Sequence, residues 1–357
     1  MTAPVARRVA ILAEGGLDPN NAKTAAGVVL YSPHKVVAVI DSTNAGRDLS
    51  QLLPIPKGVP VVASLEEALR LQPQALLLGT APRGGALPEA WRATIKRAIE
   101  AGLDIHNGLH KFLSDDPEFA RPARKRGVQL IDYRKPPAER LVARALCREM
   151  DETIILTVGS DCSVGKMTTA LEMARSIREK GLRAAFVATG QTGMMIAGGG
   201  CAIDAIPGDF MAGAVEKCVL EWRGQADIIL VEGQGSLLHP GYSGVMLALL
   251  HGATPDGLVF CHDALMTELK RDYEIQIPRL QQMAAQYEEM ARFIHPTKTI
   301  GVALRTQGLD ERAAREAIQR AEAEFGLPAT DCLRFGAESL ADAAIALWRE
   351  KSNPEVA

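Results

Sequence analysis

The sequence predicts an α/β protein made of two parallel-sheet domains, and three observations carry that expectation. Short β-branched runs alternate with amphipathic helical stretches along the whole chain. The 357 residues exceed what one small module needs. The rhythm breaks once, at Asp132-Tyr133-Arg134-Lys135-Pro136-Pro137, and then resumes.

In the first half, Val9–Ala13, Val36–Ile40, Val59–Val62, Ala75–Gly79 and Val128–Ile131 read as strands. Leu65–Leu71, Leu87–Ala101 and Leu109–Ser114 read as the helices between them. Strands joined through helices of this length need right-handed crossovers, hence a parallel, doubly wound, Rossmann-like sheet over residues 1–140. Its strand ends carry polar turns such as Asp41-Ser42-Thr43-Asn44, where such a sheet places a ligand crevice.

A helical run from Ala138 to Met150 is expected at the boundary, followed by a second α/β unit over 141–357. Its strands are Thr153–Val158, Ala184–Ala188, Asp227–Val231, Gly257–Cys261 and Thr299–Leu304. Its helices are Met167–Lys180, Phe210–Trp222, Pro278–Phe293, Glu311–Phe325 and Ser339–Lys351. The stretch Ala184 to Ile203 is free of charge for 20 residues, but its five glycines and its Thr and Gln residues make it a loop around a site rather than a membrane span.

Composition excludes several classes of function. Lys+Arg number 40 against 43 Asp+Glu, a net charge of −3, so no broad field draws nucleic acid or an anionic membrane. Only five apolar residues, Val9 to Ala13, follow the two early arginines, too few for a signal peptide, and the N-terminus reads as cytoplasmic. The six cysteines form no CxxC pair, which points to reduced thiols and away from a zinc cage or disulfide framework. No metal site is expected.

The strongest motif is the strand, loop and helix start Thr153 to Thr169. Gly159, Ser160, Asp161, Cys162, Ser163, Val164, Gly165, Lys166, Met167, Thr168 and Thr169 form a P-loop. Such a loop turns backbone N–H groups and a helix dipole toward an anion, and Lys166 adds a full positive charge. It departs from the Walker A pattern twice. Ser160 replaces a glycine, and Met167 replaces the hydroxyl residue that reaches Mg²⁺. Phosphate binding is expected and nucleotide hydrolysis is not; coenzyme A is as suitable a phosphate bearer as ATP.

Glu232 ends the strand Asp227–Val231 at a Glu-Gly turn, where a carboxylate faces the crevice as a base, a Mg²⁺ ligand or an ammonium partner. His239 and Asp209 are further acid-base candidates, although Asp209 would serve equally as the N-cap of the helix starting at Phe210. Gln191 and Thr192 lie in a glycine-rich turn suited to close approach by a substrate. His262-Asp263, at the end of another strand, could orient or relay a proton, a simple turn being the plainer reading, and His106 and His110 form an unpromising metal pair. Cys162 sits at a helix N-terminus that lowers a thiol pKa, so it could carry an acyl group; a small residue in a crowded loop is the plainer reading.

Three segments together, Gly159–Thr169, Val231-Glu-Gly-Gln-Gly-Ser236 and Gly301-Val-Ala-Leu-Arg-Thr306, resemble the dethiobiotin-synthetase-like branch of P-loop proteins. The Gly-Lys-Met-Thr-Thr run is closer still to the DUF1611 family, which joins a Rossmann-like half to a P-loop NTPase-like half. Members include D-glutamate N-acetyltransferases of the DgcN type. The run Gly58–Ala68 is in turn similar to the CoA-binding domain of succinyl-CoA synthetase.

The resemblance implies acetyl transfer from acetyl-CoA to the amine of a small acidic amino acid, D-glutamate foremost. The partners it implies are small molecules and a second copy in a homodimer. Glu232, then His239, would take the amine proton. Glycine N–H groups at 190–193 or 233–235 would face the developing oxyanion, and Arg305, Arg271 or Arg279 the substrate carboxylates. The alternatives are an ATP- and Mg²⁺-dependent ligase or kinase with Glu232 and Thr168 on the metal, and a non-catalytic nucleotide sensor.

Overall fold

The computed structural model describes residues 6–18, 21–80, 85–269 and 273–353. The chain divides into two compact units, one of residues 137–190 and 206–357 and the other of residues 2–136 together with 191–205. Each unit contains one six-stranded parallel sheet.

In the N-terminal unit the strands are β1 (Arg8–Leu12), β2 (Lys35–Ile40), β3 (Val61–Val62), β4 (Ala75–Leu78), β5 (Asp104–Asn107) and β6 (Leu130–Asp132), in the order β3-β2-β1-β4-β5-β6. Both faces are covered, as strand alternation requires. Leu12, Leu76 and Leu78 face a core with Trp91, Ile95 and Phe119, and Ile11, Val39 and Leu77 face one with Ala25 and Val28. Helices α1 (Lys23–Tyr31), α2 (Leu65–Leu69), α3 (Glu89–Glu100) and α4 (Pro117–Arg126) supply most of these partners.

Two expected helices are absent. Leu109–Ser114 does not coil, because Asn107 accepts the N–H of Leu109 at 3.0 Å and Asp132 accepts those of Leu113 and Ser114 at 2.9 Å each. The helix begins later, as α4, with Asp116 as its N-cap and Pro117 at its first position, where no donor is lost. Ala138–Met150 holds only a 3₁₀ turn at Leu146–Glu149. The carboxylate of Glu216 takes the N–H groups of Arg144 and Leu146, and a Cβ on Gly213 would stand 1.9 Å from the Leu141 carbonyl, so extended backbone lies directly on a helix.

The C-terminal unit orders β7 (Thr153–Gly159), β8 (Ala184–Val187), β9 (Ile228–Val231), β10 (Gly257–Asp263), β11 (Lys298–Arg305) and β12 (Ala329–Thr330) as β12-β11-β10-β7-β9-β8. The helices are α5 (Lys166–Glu179), α7 (Gly208–Leu220), α8 (Ser243–Ala253), α9 (Leu280–Arg292), α10 (Glu311–Phe325) and α11 (Glu338–Ser352). After β7 the chain crosses toward β8, and after β10 it crosses the other way, toward β11. The carboxyl ends of β7 and β10 therefore flank a topological switch point.

The uncharged stretch after β8 is partly helical, forming α6 (Gln191–Ala197). It belongs to the N-terminal unit by its contacts. Met195 joins the core of Ile11 and Val28, Thr192 Oγ1 lies 2.7 Å from Thr24 Oγ1, and the buried Arg134 ion-pairs with Asp204. Among the described residues no helix is long and apolar enough to cross a membrane.

Candidate functional site

The buried strand β7 delivers the chain into the loop Ser160–Gly165 and then into α5. Ser163 and Gly165 adopt φ of 60° and 105°, the left-handed turns by which such loops curl their N–H groups around an anion. Lys166 is buried at the first turn of α5 and donates from Nζ to the Asp161 carbonyl at 2.6 Å. Burial lowers its pKa, while Cys162, Cys261, Asp161 and Glu232 oppose that shift. A buried ammonium at a helix N-terminus is a position that an anionic phosphate stabilises.

Glu232 follows β9, which lies beside β7 in the sheet, as the strand pattern predicts. Its carboxylate is buried and accepts the N–H groups of Thr189 at 3.0 Å and Gly190 at 3.2 Å. Burial pushes this carboxyl up to about 7, against the pull of those two N–H groups, a Gln234 hydrogen bond and the Lys166 charge. A base of that pKa is half-ionised near neutrality. The turn after it is tight: a Cβ on Gly233 would stand 1.7 Å from the Thr157 carbonyl oxygen.

Two of the glycine N–H groups expected to face an oxyanion are engaged elsewhere. That of Gly190 is on Glu232, and that of Gly233 donates to Thr157 Oγ1 at 2.9 Å.

The loop after Glu232 brings His239 to the phosphate loop. A ring nitrogen of His239, Cys162 Sγ and a carboxylate oxygen of Asp161 lie within 4.8 Å of one another. His239 and Asp161 are buried and Cys162 is half-buried; the other five cysteines are buried. The His239 ring meets Tyr242 at a tilt and Tyr273 edge-on, at centroid distances of 4.5 and 4.8 Å.

The remaining candidates are more dispersed. Thr169 is buried, its hydroxyl 3.8 Å from Cys261 Sγ, while Met167 and Thr168 are half-buried. A thioether offers no hard oxygen where a Walker loop offers its magnesium ligand, so this position does not suit Mg²⁺. Arg305 ends β11 with its guanidinium on Asp263 at 2.8 Å and on Gln307. Arg279 is exposed at the start of α9, and Arg271 lies outside the described residues. Asp209 is exposed in the first turn of α7, whose N-cap is Pro207, so the capping role expected for it is not made. Gln191 and Thr192 open α6 in the N-terminal unit.

The sequence understates one participant and misses another. His262 is more than a turn residue: its Nδ1 lies 2.8 Å from Ser160 Oγ, and both side chains are buried. Tyr287 on α9 donates its hydroxyl to the Gly159 carbonyl at 2.6 Å and accepts the Leu237 N–H at 3.1 Å. Only the helical spacing Met283, Tyr287, Ala291 hinted that this tyrosine faces inward.

Comparison with known proteins agrees with this architecture. Residues 42–136 match a Rossmann-like domain of unknown function, DUF1611_N, and residues 141–341 match the P-loop domain of unknown function DUF1611_C. The chain belongs to the DUF1611 family. A crystal structure of a family member from Anabaena variabilis ATCC 29413 has a TM-score of 0.91 and 41% identity, covering 95% of this chain and 99% of that one. The D-glutamate N-acetyltransferase of Tritonibacter scottomollicae is 36% identical over 327 residues, 91% of this chain and 95% of the relative. The D-glutamate N-acetyltransferase of a Pseudoalteromonas species is 34% identical over 278 residues, 78% of this chain and 83% of the relative.

Proposed function

We propose that this DUF1611 protein is an N-acetyltransferase that moves an acetyl group from acetyl-CoA to the amine of a small acidic amino acid, D-glutamate first among them. The observation that carries the proposal is the pairing of a phosphate anchor and a base in one site. Lys166 is the buried cation of the loop, and Glu232 is a buried carboxyl with a pKa of about 7 that feels its charge. The names of the two relatives support the acceptor and the acetyl group that is transferred.

In this reading the phosphate loop and Lys166 hold a phosphate of the coenzyme. An amine attacks a thioester only when neutral, and Glu232 takes the proton that the nitrogen loses. Arg305, already turned toward the strand ends by Asp263, is the candidate for a substrate carboxylate. From the family resemblance, the working unit is a homodimer, which sedimentation tests.

The deciding experiment mixes the purified protein with acetyl-CoA and, separately, D-glutamate, L-glutamate and D-aspartate, and follows free CoA thiol and the N-acetyl product. Rapid CoA release with D-glutamate and none without an amine acceptor beyond one equivalent supports the reading. Turnover of Mg-ATP with no CoA release replaces it with a ligase or kinase.

A further inference from the structure

The N-terminal unit has a cavity that the acetyl-transfer reading leaves unused. It measures about 510 Å³ and opens at the carboxyl ends of β1, β2 and β3, between α2 and α3. Open parallel sheets bind their ligands outside those strand ends, and the volume is that of a small-molecule site. The polar turn Asp41-Ser42-Thr43-Asn44, where the sequence places a crevice, contributes Ser42 to the wall. Asp41 turns inward instead, its carboxylate taking the N–H groups of Thr43 and Asn44 at 3.0 and 3.1 Å.

The wall has two characters. Leu12 and Ile40, the last residues of their strands, form an apolar floor with Leu65 of α2 and Trp91 of α3, whose ring suits a planar partner. Beside that floor the Glu14 carboxylate is fixed by Ser42, which donates its N–H to one oxygen at 2.8 Å and its hydroxyl to the other at 2.5 Å. Each oxygen keeps a further acceptor position, so the two together can take a pair of neighbouring hydroxyl groups. Nothing in the lining holds a phosphate. Its charges are Glu14, Glu66 and Arg97, two negative against one positive, and Arg97 already lies 3.5 Å from Glu66. The start of α2 is closed as well, with Ser64 taking the Glu67 N–H at 3.3 Å and two glutamates in the first turn.

We propose that this cavity is a ribonucleoside site, with the base on the Leu65 and Trp91 side and the ribose 2′- and 3′-hydroxyls on Glu14. A planar apolar group joined to a vicinal diol answers both characters of the wall, and an ionised phosphate answers neither. Two sources offer that chemistry: a free nucleoside, and the nucleoside end of a larger cofactor whose phosphates stay outside. Coenzyme A is not such a source, because its 3′-phosphate occupies one hydroxyl of the diol. The proposal stands apart from acetyl transfer, since every residue it uses belongs to the N-terminal unit.

The test uses the full chain, with adenosine, guanosine, cytidine and uridine as probes in saturation-transfer NMR and calorimetry. At least one should bind, and its 2′-deoxy form should bind about tenfold more weakly or worse, the effect of losing a hydrogen bond to a charged group. Glu14→Gln keeps an acceptor for Ser42 but loses the second carboxylate oxygen, and should weaken the ribonucleoside by a similar factor while leaving the deoxy form nearly unchanged. Thr94→Trp, at a half-buried position of the wall on α3, should fill the cavity and abolish binding. Lys166→Ala, in the other unit, should not alter it.

A readout that leaves the cavity intact comes from tryptophan fluorescence. With Trp222→Phe and Trp348→Phe, Trp91 is the remaining tryptophan and its emission should follow the titration. The corresponding 5′-monophosphate separates the sources: binding as tight as the nucleoside means the end of a larger cofactor, and weaker binding a free nucleoside. Binding of none of the four probes, or equal binding of the ribo and deoxy forms, overturns the proposal. So does binding that Thr94→Trp retains and Lys166→Ala loses, which assigns the nucleoside to the phosphate loop. None of these results bears on whether the wild type transfers acetyl groups, so the two readings fail separately.

Discussion

Ser160 Oγ and His262 Nδ1 meet at 2.8 Å across neighbouring strands of the central sheet, in a buried setting. A second bond runs beside this one, from the Ser160 N–H to the Cys261 carbonyl at 3.1 Å. Where a Walker loop has glycine, this loop is stapled at its base to the end of β10. Ser160→Gly removes the hydroxyl and adds backbone freedom, and unfolding should become easier by about 1–3 kcal/mol. Urea titration of the two proteins measures it; an unchanged midpoint means the side-chain bond contributes nothing.

Lys166→Ala should weaken coenzyme binding by about 1.5–3 kcal/mol, the value of a charge-assisted phosphate contact. Amino-acid binding should change little. Calorimetry with CoA and with D-glutamate separates the two effects, and a folded variant that binds CoA as tightly as wild type removes the loop from the mechanism.

Glu232→Gln keeps shape and hydrogen-bonding reach but cannot take a proton, so kcat should fall by about 10²–10⁴ with CoA affinity nearly unchanged. For the wild type, kcat/KM should rise with pH through about 7 as the carboxyl ionises. The variant should lack that limb and recover part of its rate at high pH, where the free amine needs no base. Wild-type turnover by the variant at neutral pH would make Glu232 structural.

The same substitution should affect stability in the opposite sense. A carboxyl whose folded pKa is raised from 4.5 to about 7 contributes stability below 4.5 and loses it as pH climbs through 7. Above pH 7 Glu232→Gln should therefore be the more stable protein, by about 1–3 kcal/mol. Thermal melts at pH 5 and pH 8 check it: the gap between variant and wild type should open only at the higher pH.

His106 makes a pH prediction for the N-terminal unit. It is buried on β5 with Nδ1 2.8 Å from the Tyr133 hydroxyl, its Nε2 has no hydrogen-bond partner, and burial lowers its pKa from 6.5 to about 4. The unfolded chain binds this proton more readily, so stability is full above 6.5 and falls as pH drops toward 4, by up to about 3 kcal/mol. His106→Gln should flatten the acid limb of a denaturation midpoint plotted against pH. An equally steep limb in the variant assigns the acid sensitivity to other groups.

Much of this protein was determined by local sequence. The β-branched runs around Ile154 and Ile229 alternate with helical stretches and leave a doubly wound sheet as the arrangement that buries both faces. The P-loop was equally legible, because Gly165-Lys166 after a buried strand states backbone turn, charge and helix start within a few residues. Glu232 was placed by the same logic, as the residue where a neighbouring strand ends.

What only the tertiary structure decided depends on partners far away in sequence. Glu216 and Gly213 hold 141–144 in a non-helical path that its helix-forming residues do not favour, since a buried carboxylate captures the N–H groups of Arg144 and Leu146 that a helix would use. Tyr287 reaches Gly159 across 128 residues, and Ser160 reaches His262 across 102. His239 comes beside Cys162 only through the turn that follows Glu232. Periodicity and turn residues act over a few positions and so can be read along the chain. A hydrogen bond or a shared charge between distant segments forms only after the sheet has fixed the ends of its strands in one place.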